Sequence, residues 1–261
     1  MSPDAPAGHP IHPPRIPRIA WPLIAAAAVI VAGAWAVTIA SMDTFNALLM
    51  SQMGGGSPGN ALAFIALTGV MMAAMMLPSA LPMIEAHRGI VTLDRGPRAA
   101  SVESVAFGVG YLAVWTATTA LALPVLAAVG ALPPMGGAAL FVPAAVVLAA
   151  GIYQFTSWKR FCLRHCRAPV DYLATHYRKG RAGALRAGLE HGGYCLGCCW
   201  LLMLVWFVAG AMGLVWMGVF AALILAEKVS SRGEVVSRGI GVAAIAAGLL
   251  MMALGASAPS M

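Results

Sequence analysis

The 261-residue chain is 61% hydrophobic, carries 10% charged residues and a net charge of +7, and has a mean hydropathy of +0.85. A soluble domain carries roughly 25% charged residues, so the composition excludes an ordinary soluble protein and predicts an all-α, polytopic transmembrane bundle. Five cysteines, an odd number, exclude a fully paired disulfide scaffold.

Residues 1–18 hold six prolines and read as a disordered, Pro-rich cytoplasmic arm. Its histidines, His9 and His12, read as incidental. Arg15 and Arg18 could open a signal peptide, but the apolar run from Ile19 to Ala40 is too long for an h-region and is taken as the first span. Residues 19–255 form a single transmembrane domain, followed by a short tail at 256–261. Six further helices are expected near Asn60–Ile84, Ser104–Ala128, Ala138–Ser157, Ala187–Ala211, Gly213–Lys228 and Val235–Ala253. The uncharged run from Leu196 to Ala226 is 31 residues long. As one helix it would rise about 46 Å against a bilayer core of about 30 Å. A turn at Ala209–Gly213 is therefore expected to split it.

The basic residues test this topology. Arg15 and Arg18 lie in the arm. Arg88, Arg95 and Arg98 follow helix two. Eight more, from Lys159 to Arg186, follow helix four, and Lys228, Arg232 and Arg238 follow helix six. With seven helices, the N-terminus in and the C-terminus out, all 16 Lys and Arg fall on the cytoplasmic side. The +7 charge then needs no nucleic-acid partner. The basic segment at about 158–186 reads as a topology determinant with possible contact to anionic lipid. Glu85 and Glu227 stand where inner loops begin and read as solvated.

The chemistry-bearing pattern is sulfur. In CLGCCW, Cys195, Cys198 and Cys199 lie at i, i+3 and i+4 and share a helix face, which His191 joins one turn earlier. In FCLRHCR, Cys162 and Cys166 are spaced i, i+4 beside His165; they point together if helix four continues past the membrane. In VMMAAMMLP, Met72, Met75 and Met76 repeat the i, i+3, i+4 spacing, Met75 and Met76 lie at about the depth of Cys198 and Cys199, and Pro78 can kink the helix beside them. Glu85 and His87 lie below, near the inner surface. Met42, Asp43, Met50 and Met53 lie in the loop outside helix one. Thiolate and thioether donors select Cu(I); zinc is the second choice. Each element also has a packing reading, because methionine fills cores and free cysteine is often buried. A face of three thiols is the element that packing explains least well.

MMAAMMLP, WKRFCLRHCRAP, LEHGGYCLGCCWLLMLVWFVAGAMGLVWM and AEKV together resemble the DUF2182 family of predicted metal-binding integral membrane proteins. The resemblance runs from helix two to the Glu227–Lys228 pair, and GCCW with the following Leu-Met is its most specific part. It implies a bacterial inner-membrane protein and a copper-chaperone role toward a copper-dependent oxidase or a metallochaperone; transfer of Cu(I) across the membrane is the other route expected of the sulfur sites. It carries over Met75, Met76, Cys162, Cys166, Cys195, Cys198 and Cys199 as site residues. The competing expectation is a membrane thiol-disulfide oxidoreductase using the CxxC of Cys195 and Cys198 at a helix start. Cytoplasmic thiols disfavour it. A third is a scaffold whose cysteines merely pack. No catalytic triad, carboxylate pair or HExxH motif appears, and an enzyme is not expected.

Overall fold

The computed structural model describes residues 21–130, 141–208 and 213–257. The Pro-rich arm, His9 and His12, the expected start of helix four at Ala138, most of the Ala209–Gly213 turn and the end of the tail lie outside them. The described residues form ten helices and no strand: α1 Trp21–Ala40, α2 Met42–Met53, α3 Pro58–Arg95, α4 Pro97–Gly130, α5 Phe141–Tyr153, α6 Ser157–Arg167, α7 Pro169–His176, α8 Gly180–Val208, α9 Leu214–Val229 and α10 Gly233–Ser257.

A helix stands at each expected place. Five of them (α1, α3, α4, α8 and α10) are long and apolar enough to cross a membrane, and the α5–α6 pair makes six if counted as one bent span. The 16-residue α9 rises about 24 Å, short of a core of about 30 Å.

Several boundaries differ from expectation, for identifiable reasons. The expected outer loop after helix one is the helix α2, whose Phe45 and Leu49 are buried. Phe45 stacks between Phe64 of α3 and Trp206 of α8. Helix two does not stop where charges begin. Backbone hydrogen bonds are local, so α3 runs on through Glu85 to Arg95 and ends where Gly96 takes a positive φ of 87° before Pro97. Pro78 and Pro82 lie inside α3. Helix four does not continue past the membrane. It stops at Tyr153, and α6 leaves at 66°, begun by Thr156, whose hydroxyl accepts from the Lys159 N–H at 3.2 Å.

Close packing sets the helix directions. A Cβ at Gly110 would strike the Leu185 carbonyl, one at Gly188 the Phe107 carbonyl, and one at Gly192 the Val114 side chain. The Phe107–Gly188 and Tyr111–Cys195 contacts advance together along both helices, so α4 and α8 are parallel. Gly151 meets Gly241 and Ile245, whereas Gly248 meets Leu148, so α5 and α10 are antiparallel. Small residues let helices approach where lipid supplies no hydrophobic drive. The core that results holds all five cysteines together with Met71, Met72, Met75, Met76, Tyr111 and Trp206.

Candidate metal centre

Two helices deliver the thiols. The buried face of the amphipathic α6 carries Lys159, Cys162, Leu163 and Cys166. α8 carries Cys195, Cys198 and Cys199, each at most 1% exposed. The Cys166 thiol lies in the same buried core as those of Cys195, Cys198 and Cys199, near enough to interact with Cys195 and Cys198. Gly197 is what admits α6: a Cβ there would lie 2.7 Å from the Cys162 sulfur. The i, i+4 pair on α6 therefore splits in role, with Cys166 in the group and Cys162 against the α8 backbone.

Hydrogen bonds fix this part of α8. The Tyr153 hydroxyl donates to the Gly197 carbonyl at 2.5 Å, and the Lys159 ammonium to the Cys198 carbonyl at 2.5 Å. Lys159 also pairs with Glu227 of α9 at 2.7 Å, both side chains 1% exposed. The solvated reading of Glu227 is thus overturned, and Lys159 of the basic segment is wholly buried. The chain turns Lys159 inward because its i+3, i+4 and i+7 neighbours, Cys162, Leu163 and Cys166, form the apolar face of α6.

The next residue, Lys228, reaches the thiols themselves. Its Nζ lies 2.6 Å from the Cys195 sulfur and 3.0 Å from the Ser79 hydroxyl of α3. Tyr111 of α4 lies on another side, its hydroxyl 2.9 Å from Cys195 Sγ and 3.3 Å from the Met76 carbonyl. Tyr111 and Lys228 thus tie the turn of α3 at Met76–Ser79 to the level of Cys195, one helical turn below Cys198 and Cys199. Met72, Met75 and Met76 are all buried in the same core.

His191 also stands one turn from Cys195, enclosed by the rings of Phe107, Tyr111 and Tyr172 at 5.7–5.9 Å. Its Nδ1 has no hydrogen-bond partner among the described residues. His87, expected near the inner surface, is fully buried beside Phe107, and neither ring nitrogen has such a partner. His165 is not brought to the thiols. It projects from the other side of α6, stacked on Tyr194 at 4.5 Å and packed against Phe161 at 4.4 Å. Met42 and Met50 belong to α2, and Met50 is exposed.

Among the described residues, no three His, Cys, Asp or Glu side chains are arranged to hold a metal ion as they stand. The thiols of Cys198 and Cys199 turn back and donate to the Cys195 carbonyl at 3.1 and 3.0 Å. Loading a cation on them requires that these S–H···O bonds be given up and the sulfurs turned toward one another. The donor chemistry itself, four thiols gathered in one buried core, is that of a soft-metal site.

Tyr111, Ser79, Lys159 and Lys228 border the thiols or hold α8 in place, and sequence reasoning gave none of them such a role; Glu227 it read as solvated. Lys228 had one available signal. It is the second charge of a Glu-Lys pair that closes a long apolar run, where a side chain can turn back into the bundle.

A family model described as copper chaperone PpoB2 matches residues 66–251. No curated protein and no solved structure matches the chain. The match begins in α3, ends in α10 and encloses every residue of the thiol group, and the chain belongs to the PpoB2 copper chaperone family.

Proposed function

We propose that this protein is an integral membrane Cu(I) chaperone of the bacterial inner membrane, with Cys166, Cys195, Cys198 and Cys199 as the residues that receive the cargo. The observation that carries this reading is the burial of four thiols from α6 and α8 in one core, beside a lysine that touches Cys195 and lacks a carboxylate partner among the described residues. Two-coordinate thiolate binding suits a soft monovalent ion, and exchange among neighbouring sulfurs lets the ion move without being released. Met72, Met75 and Met76 offer weaker thioether donors on α3, and Cys162 and His191 flank the group. His165 belongs to the outer face of α6 and is left out. The receiver is a copper-dependent oxidase or a soluble metallochaperone.

The proposal includes seven spans, with the N-terminus in and the C-terminus out. The parallel pairing of α4 with α8 and the antiparallel pairing of α5 with α10 agree with strict alternation across the bilayer. In that topology the thiols lie in the inner half.

The test is metal content by mass spectrometry after anaerobic purification in detergent, for the parent and for the Cys195/Cys198/Cys199→Ser variant. Stoichiometric copper in the parent and none in the variant is expected. Equal copper in both ends the proposal. No metal in either after Cu(I) loading turns attention to a Cys195–Cys198 disulfide, to be trapped with a partner through Cys198→Ser.

A further inference from the structure

The outer face of α6 borders an open cavity of about 600 Å³, lined by Arg160, Phe161, Arg164 and His165 of α6 and by Glu234 and Arg238 of α10. Three guanidinium groups and one carboxylate share this space. Arg164 is committed to Glu234 at 3.1 Å. The Arg160 and Arg238 side chains have no hydrogen-bond or ion-pair partner among the described residues.

The walls are held in place independently of any ligand. Arg167 at the end of α6 donates to the Ser230 and Ser231 carbonyls at 2.5 and 3.1 Å. Ser237 of α10 donates to Gln154, just before α6, at 2.8 Å. Gly233 fits under Arg167 because a Cβ there would strike the Glu227 carbonyl. The two unpaired guanidinium groups are thus presented by two helices whose spacing is set before anything binds. Beside them Phe155, Trp158, Phe161 and Val235 expose large apolar surface, the surroundings of a lipid headgroup.

We infer that this cavity is a binding site for a phosphate-bearing anion, held by Arg160 and Arg238. A guanidinium group presents paired N–H donors that match phosphate oxygens two at a time. The exposed aromatic and aliphatic rim favours an anionic phospholipid as the source over free phosphate, and basic residues at a cytoplasmic membrane surface attract such lipids. The site is separate from the metal centre. α6 presents Cys162 and Cys166 on its buried face and the cavity on its outer face, so an occupant would also pin the helix that supplies Cys166.

Native mass spectrometry of the full chain in detergent tests this, with short-chain phosphatidylglycerol, short-chain phosphatidylcholine and inorganic phosphate as separate probes. One saturable phosphatidylglycerol adduct is expected. It should weaken about tenfold in Arg160→Gln/Arg238→Gln, as for loss of charge-assisted bonds, and stay unchanged in Arg98→Gln/Arg181→Gln, which removes equal charge elsewhere. Inorganic phosphate binding as tightly, with the same dependence on Arg160 and Arg238, supports the anion site and assigns it a soluble ligand. Equal phosphatidylcholine binding, or equal weakening by both variants, overturns the inference. Because Arg160 and Arg238 have no partners to lose, the melting temperature should not move, and a variant that melts early is replaced by Arg160→Lys/Arg238→Lys.

Discussion

Replacing Lys159 by Met should destabilise the bundle far more than any change in side-chain volume would suggest. The substitution leaves Glu227 buried at 1% exposure without its cation. It also removes the donor to the Cys198 carbonyl. Breaking a buried pair from one side costs about 3–5 kcal/mol, on the order of 10 °C in melting temperature for a chain of this size. Replacing both residues, as Lys159→Met/Glu227→Met, removes the stranded charge and should return to near or above the parent, because apolar substitutes for a buried pair are neutral or better by about 1–4 kcal/mol. All five thiols are buried, so a fluorogenic maleimide that reacts only as they become exposed reports unfolding directly. A loss below about 1 kcal/mol in the single variant, or a double variant no better than the single, would refute the buried ion pair.

The glycine seam gives a matched pair. Gly188→Ala drives a Cβ into the Phe107 backbone and should cost about 1–3 kcal/mol, whereas Gly193→Ala meets nothing within 4 Å and should gain up to about 1 kcal/mol, both read as melting temperature. At the proposed Cu(I) site, Cys166→Ser should weaken Cu(I) binding about tenfold or more and Cys162→Ser less, measured by competition with a chromogenic Cu(I) chelator. Outside the membrane, burial, with Glu190, Tyr194 and Cys166 nearby, pushes the Tyr172 hydroxyl above its ordinary range. The unfolded chain then ionises this tyrosine first, so stability should fall as pH rises past about 10, by up to about 1.4 kcal/mol per pH unit. Alkaline melting of Tyr172→Phe should lack that slope.

What could be read from the chain depended on range. Apolar runs carry the helical architecture, because hydrophobic blocks are local and additive. The i, i+3, i+4 thiols of α8 were legible for the same reason. Cys166 could be placed on a face but not in the group, since only the 66° turn at Gln154–Thr156 and the missing side chain of Gly197 bring α6 onto α8. His165, one residue away, turns outward. Helix ends were misplaced where charge was taken as a stop: Glu85 marks where apolar surface ends, while the α3 backbone continues to Gly96. Buried charges were the largest omission. A lysine in a basic segment reads as solvated until its partner, 68 residues away in Glu227, is known.

The two buried lysines separate structure from chemistry. Lys159 is neutralised by Glu227, and its further bond goes to a carbonyl, so it is complete without a ligand. Lys228 sits 6% exposed with a serine hydroxyl and the Cys195 sulfur as its hydrogen-bond partners. Burying a cation without a counter-charge is expensive, and the group within its reach that can become an anion is a thiol. Two thiolates binding Cu(I) carry a net charge of −1, which the Lys228 ammonium cancels. A divalent ion on the same two thiolates would leave the ammonium without a counter-charge. Two thiolates with a monovalent soft cation therefore balance the Lys228 ammonium, as one thiolate does in the empty site, so taking up such a cation adds no uncompensated charge to the core.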